Sequence, residues 1–312
     1  MTKMVGVLMM AYGGPDSLED VQPFLADIRH GRSTPPELLE EITERYRAIG
    51  GRSPILEITS AQARGVEAAL NADGSDVTFK TYVGMRHWHP YIEDVVPKML
   101  ADGVDEIVAV VMAPHFSRMS VGAYMGKVDK ALHQVERDLP VTQVQSWKDE
   151  PAFINAVATR IDAAFAAHYP DVPRDDVPVI FTAHSLPARI LESNDPYREE
   201  ILESVELVAA RMGLTNYRFA FQSQGATADP WLGPSVEETL EDLKSEGVDK
   251  ILLVPIGFVC DHVEVLFDVD IEHRQQAEEL GIRLERTAML NDDSGLVAAV
   301  ANAVRQAMAQ PV

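Results

Sequence analysis

The chain has very little cysteine: a single residue, Cys260, in 312. One thiol cannot form an intrachain disulfide, and it cannot hold an iron–sulfur cluster built on several cysteines. Its simplest role is a small apolar residue packed near a strand end. Basic charge is also scarce, with 27 Lys and Arg against 49 Asp and Glu and a formal net charge of −22. A polyanion of that kind is a poor general partner for nucleic acid or anionic lipid, so an anionic ligand would need a local basic patch. Long apolar runs are missing, and no stretch approaches the length of a membrane span. The strand-like run at 4–11 lacks the apolar core and small-residue cleavage site of a secretory signal, so the expected location is the cytoplasm. There is no Walker sequence, no GxGxxG, no CxxC pair and no HExxH, and Gly13-Gly14-Pro15-Asp16 lacks the spacing of a dinucleotide fingerprint. NAD, ATP and zinc are therefore not expected.

What is present is alternation. Apolar, β-branched runs at 5–11, 77–84, 106–113, 141–145, 177–183, 217–222, 250–255 and 283–287 read as strands. Helical periodicity fills 17–29, 36–49, 59–70, 92–100, 151–168, 196–212, 236–246 and 296–309. Strands alternating with helices predict parallel βαβ units. The chain also echoes itself. Gly103-Val104-Asp105-Glu106-Ile107 opens one strand and Gly247-Val248-Asp249-Lys250-Ile251 opens another, with the same order of elements around each. The expected fold is α/β, with two similar Rossmann-like halves (1–148 and 149–312), each a parallel sheet flanked by helices, facing each other across a cleft. Where the closing helix packs is open at this stage.

Two polar segments follow predicted strands: TAHSLP at 182–187 and GFVCDHVEVLFDVDIE at 257–272. In open α/β sheets, ligands bind beyond the carboxyl ends of the strands. His184 and Glu264, placed there, suit proton uptake, divalent-metal binding, or both in turn. If the second segment is an α-helix, Glu264, Asp268 and Glu272 share one face at i, i+4, i+8. Repulsion among them would favour a cation, and oxygen ligands suit a hydrated divalent ion. Asp261, His262 and Asp270 belong to the same polar run. A solvated surface helix is the plainer reading of such a charge run. Tyr12 ends the first strand, as an oxygen ligand or a wall of a flat pocket. Arg29, Arg32, Arg45, Arg47 and Arg52 concentrate positive charge. Some must pair with Glu37, Glu40, Glu41 and Glu44; the others suit recognition of ligand carboxylates by bidentate contacts.

Five motifs in order carry a resemblance to a known family: MAYGGPDSLEDVQPFL near the start, YRAIGGRSPILEIT at 46–59, TAHSLP, QSQGATADPWLGP at 222–234 and PIGFVCDHVEVLFDVD at 255–270. The chain resembles the ferrochelatases over nearly its whole length. Its compact length and MAYG…APHFS wording are most similar to the coproporphyrin III ferrochelatases of bacteria. The resemblance implies a lyase-class enzyme of haem biosynthesis that inserts Fe2+ into coproporphyrin III, with the porphyrin in the cleft. It further implies that His184 and Glu264 are the catalytic, iron-handling pair, and that Tyr12 approaches the metal from the opposite face. Arg29, Arg45, Ser53 and Tyr124 would contact propionates. Asp268 and Glu272, with Arg45 nearby, would form an outer site for a regulatory divalent cation such as Mg2+. His262 and His89 match motif positions without an assigned role. No permanently bound cofactor and no iron–sulfur cluster is implied. The expected enzyme is a monomer, without stable membrane insertion, meeting other haem-pathway enzymes transiently. A protoporphyrin ferrochelatase, a chelatase for cobalt or nickel in another tetrapyrrole, and a haem carrier without turnover remain the alternative readings.

The chemistry sets three requirements: two pyrrole N–H protons leave, the macrocycle bends so that its lone pairs meet the metal, and the ion sheds water. An apolar cleft, with Met10, Ile28, Trp231 and Phe258 as candidate walls, would hold the bent macrocycle, using binding energy from remote contacts.

Overall fold

The computed structural model describes residues 3–72, 74, 76–135, 139–225 and 229–309. The elements, in chain order, are β1 (Lys3–Ala11), α1 (Val21–Ile28), α2 (Pro36–Ala48), α3 (Ile55–Asn71), β2 (Val77–Met85), α4 (Ile92–Ala101), β3 (Glu106–Val111), α5 (Val121–Gln134), β4 (Val141–Val144), α6 (Pro151–His168), β5 (Val179–His184), α7 (Tyr197–Met212), β6 (Tyr217–Gln222), α8 (Val236–Ser245), β7 (Lys250–Val254), α9 (Val263–Leu266), α10 (Arg274–Glu279), β8 (Arg283–Arg286) and α11 (Ser294–Ala309). All eight expected strands form, with ends shifted by a few residues at most.

The strands make two four-stranded parallel sheets, ordered β2-β1-β3-β4 and β6-β5-β7-β8. The order is the same in each half, which is the structural form of the sequence echo. The repeat extends to detail: Met85 N–H donates to the Pro90 carbonyl, and Phe221 N–H to the Pro234 carbonyl, both at 2.7 Å. Central strands are apolar on both faces because helices cover both. On β1, Val5, Val7 and Met9 enter one core while Leu8 and Met10 enter another, packed against α4 and α5. The first of these cores runs on to Val179 and Phe181 of β5, so one apolar layer joins the two sheets.

The closing helix packs back on the first half. Arg305 donates to the Ala69 carbonyl at 2.8 Å, and Gln62 of α3 donates to the Asn291 carbonyl at 2.8 Å just before α11. Gly65 lets the two helices touch: a Cβ there would lie 2.8 Å from the Val297 side chain.

Three local expectations change. The helix expected at 17–29 is a 3-10 turn, Leu18–Asp20, followed by α1. Ser17 stands at the N-cap position of that turn, but its hydroxyl donates to Asp20 Oδ2 and accepts no capping bond from the main chain. Helix α5 has no counterpart in the sequence reading; Gly122 and Gly126 weaken its helical signal, and burial of Val121, Tyr124, Met125 and Val128 supplies what propensity does not. The acidic segment is one turn of α-helix, α9, then a π-helix over Asp268–His273 before α10. Such π-segments are uncommon and often mark functional sites.

Candidate active site

The carboxyl ends of strands from both sheets converge on one cavity of about 430 Å3, a size suited to a small-molecule ligand. Tyr12 follows β1, Arg86 follows β2, His184 ends β5, Ser223 follows β6, and Gly257–Cys260 follow β7; all line it.

His184 and Glu264 meet: Nδ1 lies 2.7 Å from Oε2. Their approach depends on Gly257. A Cβ at that position would sit 2.5 Å from the Ala183 Cβ, and Gly257 N–H donates to the Thr182 carbonyl at 3.0 Å. Each partner is also held by its main chain. The Tyr197 hydroxyl donates to the His184 carbonyl at 2.9 Å. Gln222, the register partner of His184, donates to the Glu264 carbonyl at 2.8 Å, and its own amide oxygen accepts from the Thr182 hydroxyl at 2.7 Å.

The pair is electrostatically coupled. Burial pushes the Glu264 carboxyl up, but the charge and hydrogen bond of His184, with smaller help from His262 and Ser223, outweigh it and bring it to about 2. Burial pushes His184 down, yet Glu264 leaves its pKa raised above the ordinary value. The ring is therefore held in its protonated form against a carboxylate to higher pH than a free histidine would be.

Tyr12 comes from the first sheet. Its ring lies 4.7 Å from that of His87 and 6.4 Å from that of Phe24. Burial, together with the charge of Glu264, pushes its hydroxyl up to about 12, so it stays protonated at neutral pH. His87 bonds Asp27 at 2.8 Å through Nδ1, and burial brings it down to about 4. Arg86 reaches over the Tyr124 ring at 5.3 Å.

Asp268 and Glu272 do come together, but around a guanidinium. Arg45 donates to Asp268 at 3.2 Å and Glu272 at 3.3 Å, pairs with Glu41 at 3.1 Å, and lies 5.0 Å from the Phe267 ring. The Ser223 hydroxyl also donates to Asp268. Among the described residues no group of three His, Cys, Asp or Glu is gathered to hold a metal ion. Asp261 and Asp270 turn away from the cavity to Arg286, which bonds both oxygens of Asp270 at 2.6 and 2.7 Å and Asp261 at 3.4 Å.

Of the other expected residues, Ser53 and Tyr124 line the cavity, as do His262 and Cys260. Burial pushes the Cys260 thiol up to about 12. Arg29 does not line it. It follows Ile28, which does, and its Nε is buried without a hydrogen-bond partner. His89 is exposed and meets the rings of Trp88 and Tyr91 edge to face. Among the candidate walls, Ile28 and Phe258 face the cavity. Met10 is buried in the core behind it, and Trp231 lies elsewhere, its ring against Gly225. Residues 226–228 of the 222–234 motif lie outside the described residues. Arg86, His87, Gln222 and Tyr197 were not singled out from sequence. The strand-end rule that points to His184 points equally to Arg86 and His87, which directly follow β2.

The ferrochelatase family model matches residues 4–308. The chain is 43% identical over 297 residues to a ferrochelatase of Herpetosiphon aurantiacus, covering 95% of this chain and 97% of that protein. It is 40% identical over 303 residues to the coproporphyrin III ferrochelatase of Bacillus subtilis, covering 97% of each. Among solved structures it is similar to SirB from Bacillus subtilis with Fe3+, with a TM-score of 0.64 at 12% identity over 98% of this chain and 96% of that one. That likeness speaks for the chelatase-type α/β fold. Family model and relatives alike run through both sheets and through every strand end that lines the cavity, and the chain belongs to the ferrochelatase family, enzymes that insert iron into porphyrin.

Proposed function

We propose that the enzyme inserts Fe2+ into coproporphyrin III in the cavity between the sheets, with His184 and Glu264 as the groups that take the pyrrole protons and guide the ion. The observation that carries this reading is the 2.7 Å contact of the two side chains at the cavity wall. The free porphyrin loses two N–H protons as Fe2+ takes their place, so charge balances with two protons released. Because the ring holds its own proton against the carboxylate, that proton must first pass to solvent; carboxylate and imidazole can then accept the two pyrrole protons as one titrating unit. Tyr12, held protonated, enters the same cavity from the first sheet and can approach the metal from the other face.

Support for coproporphyrin III comes from two directions. Relatives about 40% identical carry that name. Arg86 and Arg45 bring positive charge to the cavity, along with the hydroxyls of Ser53 and Tyr124, as a macrocycle with four propionates requires. Arg45 is already bound to Asp268 and Glu272, so a propionate there would compete with two carboxylates of the protein. A divalent cation at the same pair would compete with Arg45, and the proposed reaction does not depend on one. On this reading the enzyme needs no resident cofactor and acts as a cytoplasmic monomer with transient pathway partners. Among the described residues no helix is long and apolar enough to cross a membrane.

The test is an anaerobic metallation assay with coproporphyrin III and protoporphyrin, offered Fe2+ and other divalent metals. Catalytic loss of free-porphyrin fluorescence, faster with coproporphyrin III and Fe2+, supports the proposal. Faster turnover of protoporphyrin overturns the substrate, and binding without turnover overturns the enzyme in favour of a carrier.

A further inference from the structure

Outside the His184–Glu264 pair, a set of buried polar contacts joins the loop after β3 to α7 and to Asp195 just before it. Four consecutive loop residues each find a partner there. His115 Nε2 lies 2.9 Å from the Ser204 hydroxyl. Ser204 donates its own proton to the Lys148 carbonyl at 2.8 Å, so His115 is the donor in that pair. Phe116 N–H donates to Glu200 Oε2 at 2.7 Å, and the Ser146 hydroxyl donates to the same oxygen at 2.7 Å. The Ser117 hydroxyl and the Arg118 N–H both donate to Asp195 Oδ2, at 3.2 and 2.8 Å. His115, Ser117, Asp195 and Ser204 are all buried. Buried polar groups without partners are costly, so the loop stays on this helix face as a unit.

What the ladder connects gives it a consequence. Directly after the loop come Met119, Ser120 and Tyr124, which line the cavity from the first half. The first residue of the same helix, Tyr197, holds the His184 carbonyl, and its own N–H donates to Asp195 Oδ1 at 3.1 Å. The wall facing the macrocycle and the strand end carrying His184 therefore hang on the same two helical turns.

We propose that Asp195, Glu200 and Ser204 are positioning residues that fix the separation between the Met119–Tyr124 wall and His184, and so set how tightly the macrocycle is gripped and bent. This rests on the cavity being the porphyrin site. The three side chains touch neither substrate nor metal and act through the loop they hold.

The test compares Glu200→Ala, Asp195→Asn and Glu200→Gln with the wild-type enzyme. Porphyrin KM and kcat, the Soret band of bound porphyrin, the pH profile, and hydrogen exchange of amides 115–124 are measured. Glu200→Ala and Asp195→Asn are expected to raise porphyrin KM about tenfold, the order of one lost hydrogen bond to a buried charged acceptor. They are expected to change the bound Soret band and speed exchange at 116 and 118, while leaving the pH profile set by His184 and Glu264 in place. Glu200→Gln keeps an oxygen for the Phe116 N–H and is expected to recover most of the affinity. If Glu200→Ala fails to fold, Ser204→Ala, which removes the partner of His115 and the donor to the Lys148 carbonyl but leaves the Phe116 and Arg118 N–H bonds in place, carries the same expectation in weaker form. Folded variants with wild-type KM and Soret band, whatever their melting temperatures, overturn the inference alone. Wild-type protein whose 115–124 amides are unaffected by bound porphyrin overturns the cavity as the porphyrin site, and this inference with it.

Discussion

The carboxamide of Gln222 donates to the main-chain carbonyl of Glu264 at 2.8 Å, while Gln222 itself lies opposite His184 in the strand register. One buried side chain thus spans both members of the His184–Glu264 pair. Gln222→Leu removes the donor and leaves the Thr182 hydroxyl without its acceptor. It is expected to lower kcat about tenfold through misplacement of Glu264, with little change in porphyrin KM. Steady-state kinetics with porphyrin and Fe2+ varied separately checks the split, and a change confined to KM would contradict it.

His184→Ala and Glu264→Gln each remove one half of the pair. Turnover is expected to fall by about 10²–10⁴-fold in either variant, the usual range for acid–base groups. Porphyrin binding, followed by fluorescence titration, is expected to survive. The double variant is expected to lose little more than either single one, because the two groups act together.

The pair also predicts a pH window for stability. The carboxyl of Glu264 is depressed from 4.5 to about 2, so its contribution is present above 4.5 and lost as pH falls toward 2. His184 is raised above 6.5, so its contribution is full below 6.5 and lost as pH rises through the elevated value. Between pH 4.5 and 6.5 both are present. The stability difference between wild type and Glu264→Gln is expected to be largest there and to shrink on either side. Denaturant midpoints measured across pH report it. In Glu264→Gln, the His184 ring is expected to titrate at lower pH than in wild type, as read by NMR.

Arg45→Ala strips Asp268 and Glu272 of their shared counter-charge. Asp268 is already raised by burial and by Glu264, against the lowering pull of the Ser223 hydrogen bond and then of Arg45. A raised carboxyl pKa means that stability falls as pH climbs from the unfolded value toward the raised one, because over that range the unfolded chain gives up its proton more readily than the folded one. The variant is expected to lose about 1–3 kcal/mol at neutral pH, the order for a buried charge deprived of its partner. The loss is expected to shrink at acid pH, where Asp268 is protonated. Thermal or denaturant unfolding at the two pH values checks both size and direction.

Gly257→Ala places a Cβ where the Ala183 side chain and backbone already stand. The loop carrying residues 257–262 would move off β5 and take Glu264 with it. A loss of about 1–3 kcal/mol in stability is expected, as for other overpacked sites, together with reduced kcat. An alanine variant with unchanged kcat would show that this close approach does not position the pair.

The strands were legible because a strand covered on both faces needs an unbroken apolar run, and runs such as 250–255 are local facts of sequence. The echo at Gly103 and Gly247 was legible for the same reason, since each copy uses the same entry into its strand. His184 and Glu264 could be picked out as chemistry-bearing residues at strand ends, though the 80 positions between them say nothing of contact. Helix α5 was hidden because its glycines speak against a helix, and burial overrules them. The continuous α-helical stripe of Glu264, Asp268 and Glu272 was misread because a π-segment leaves no local signature. Its carboxylates are arranged by partners far along the chain, Arg45 and Ser223.

By itself, then, the amino-acid order determines which segments must be buried, how they alternate and which polar residues stand at their ends, because those follow from hydrophobicity and local geometry. Only the tertiary structure decides that Asp268 and Glu272 both bond the Arg45 guanidinium, that Arg29 and Trp231 lie off the cavity wall while Arg86 joins it, and that α11 returns to α3. Each of these depends on a contact between distant segments, whose free energy comes from burying charge and apolar surface together, and no stretch of sequence carries that term alone.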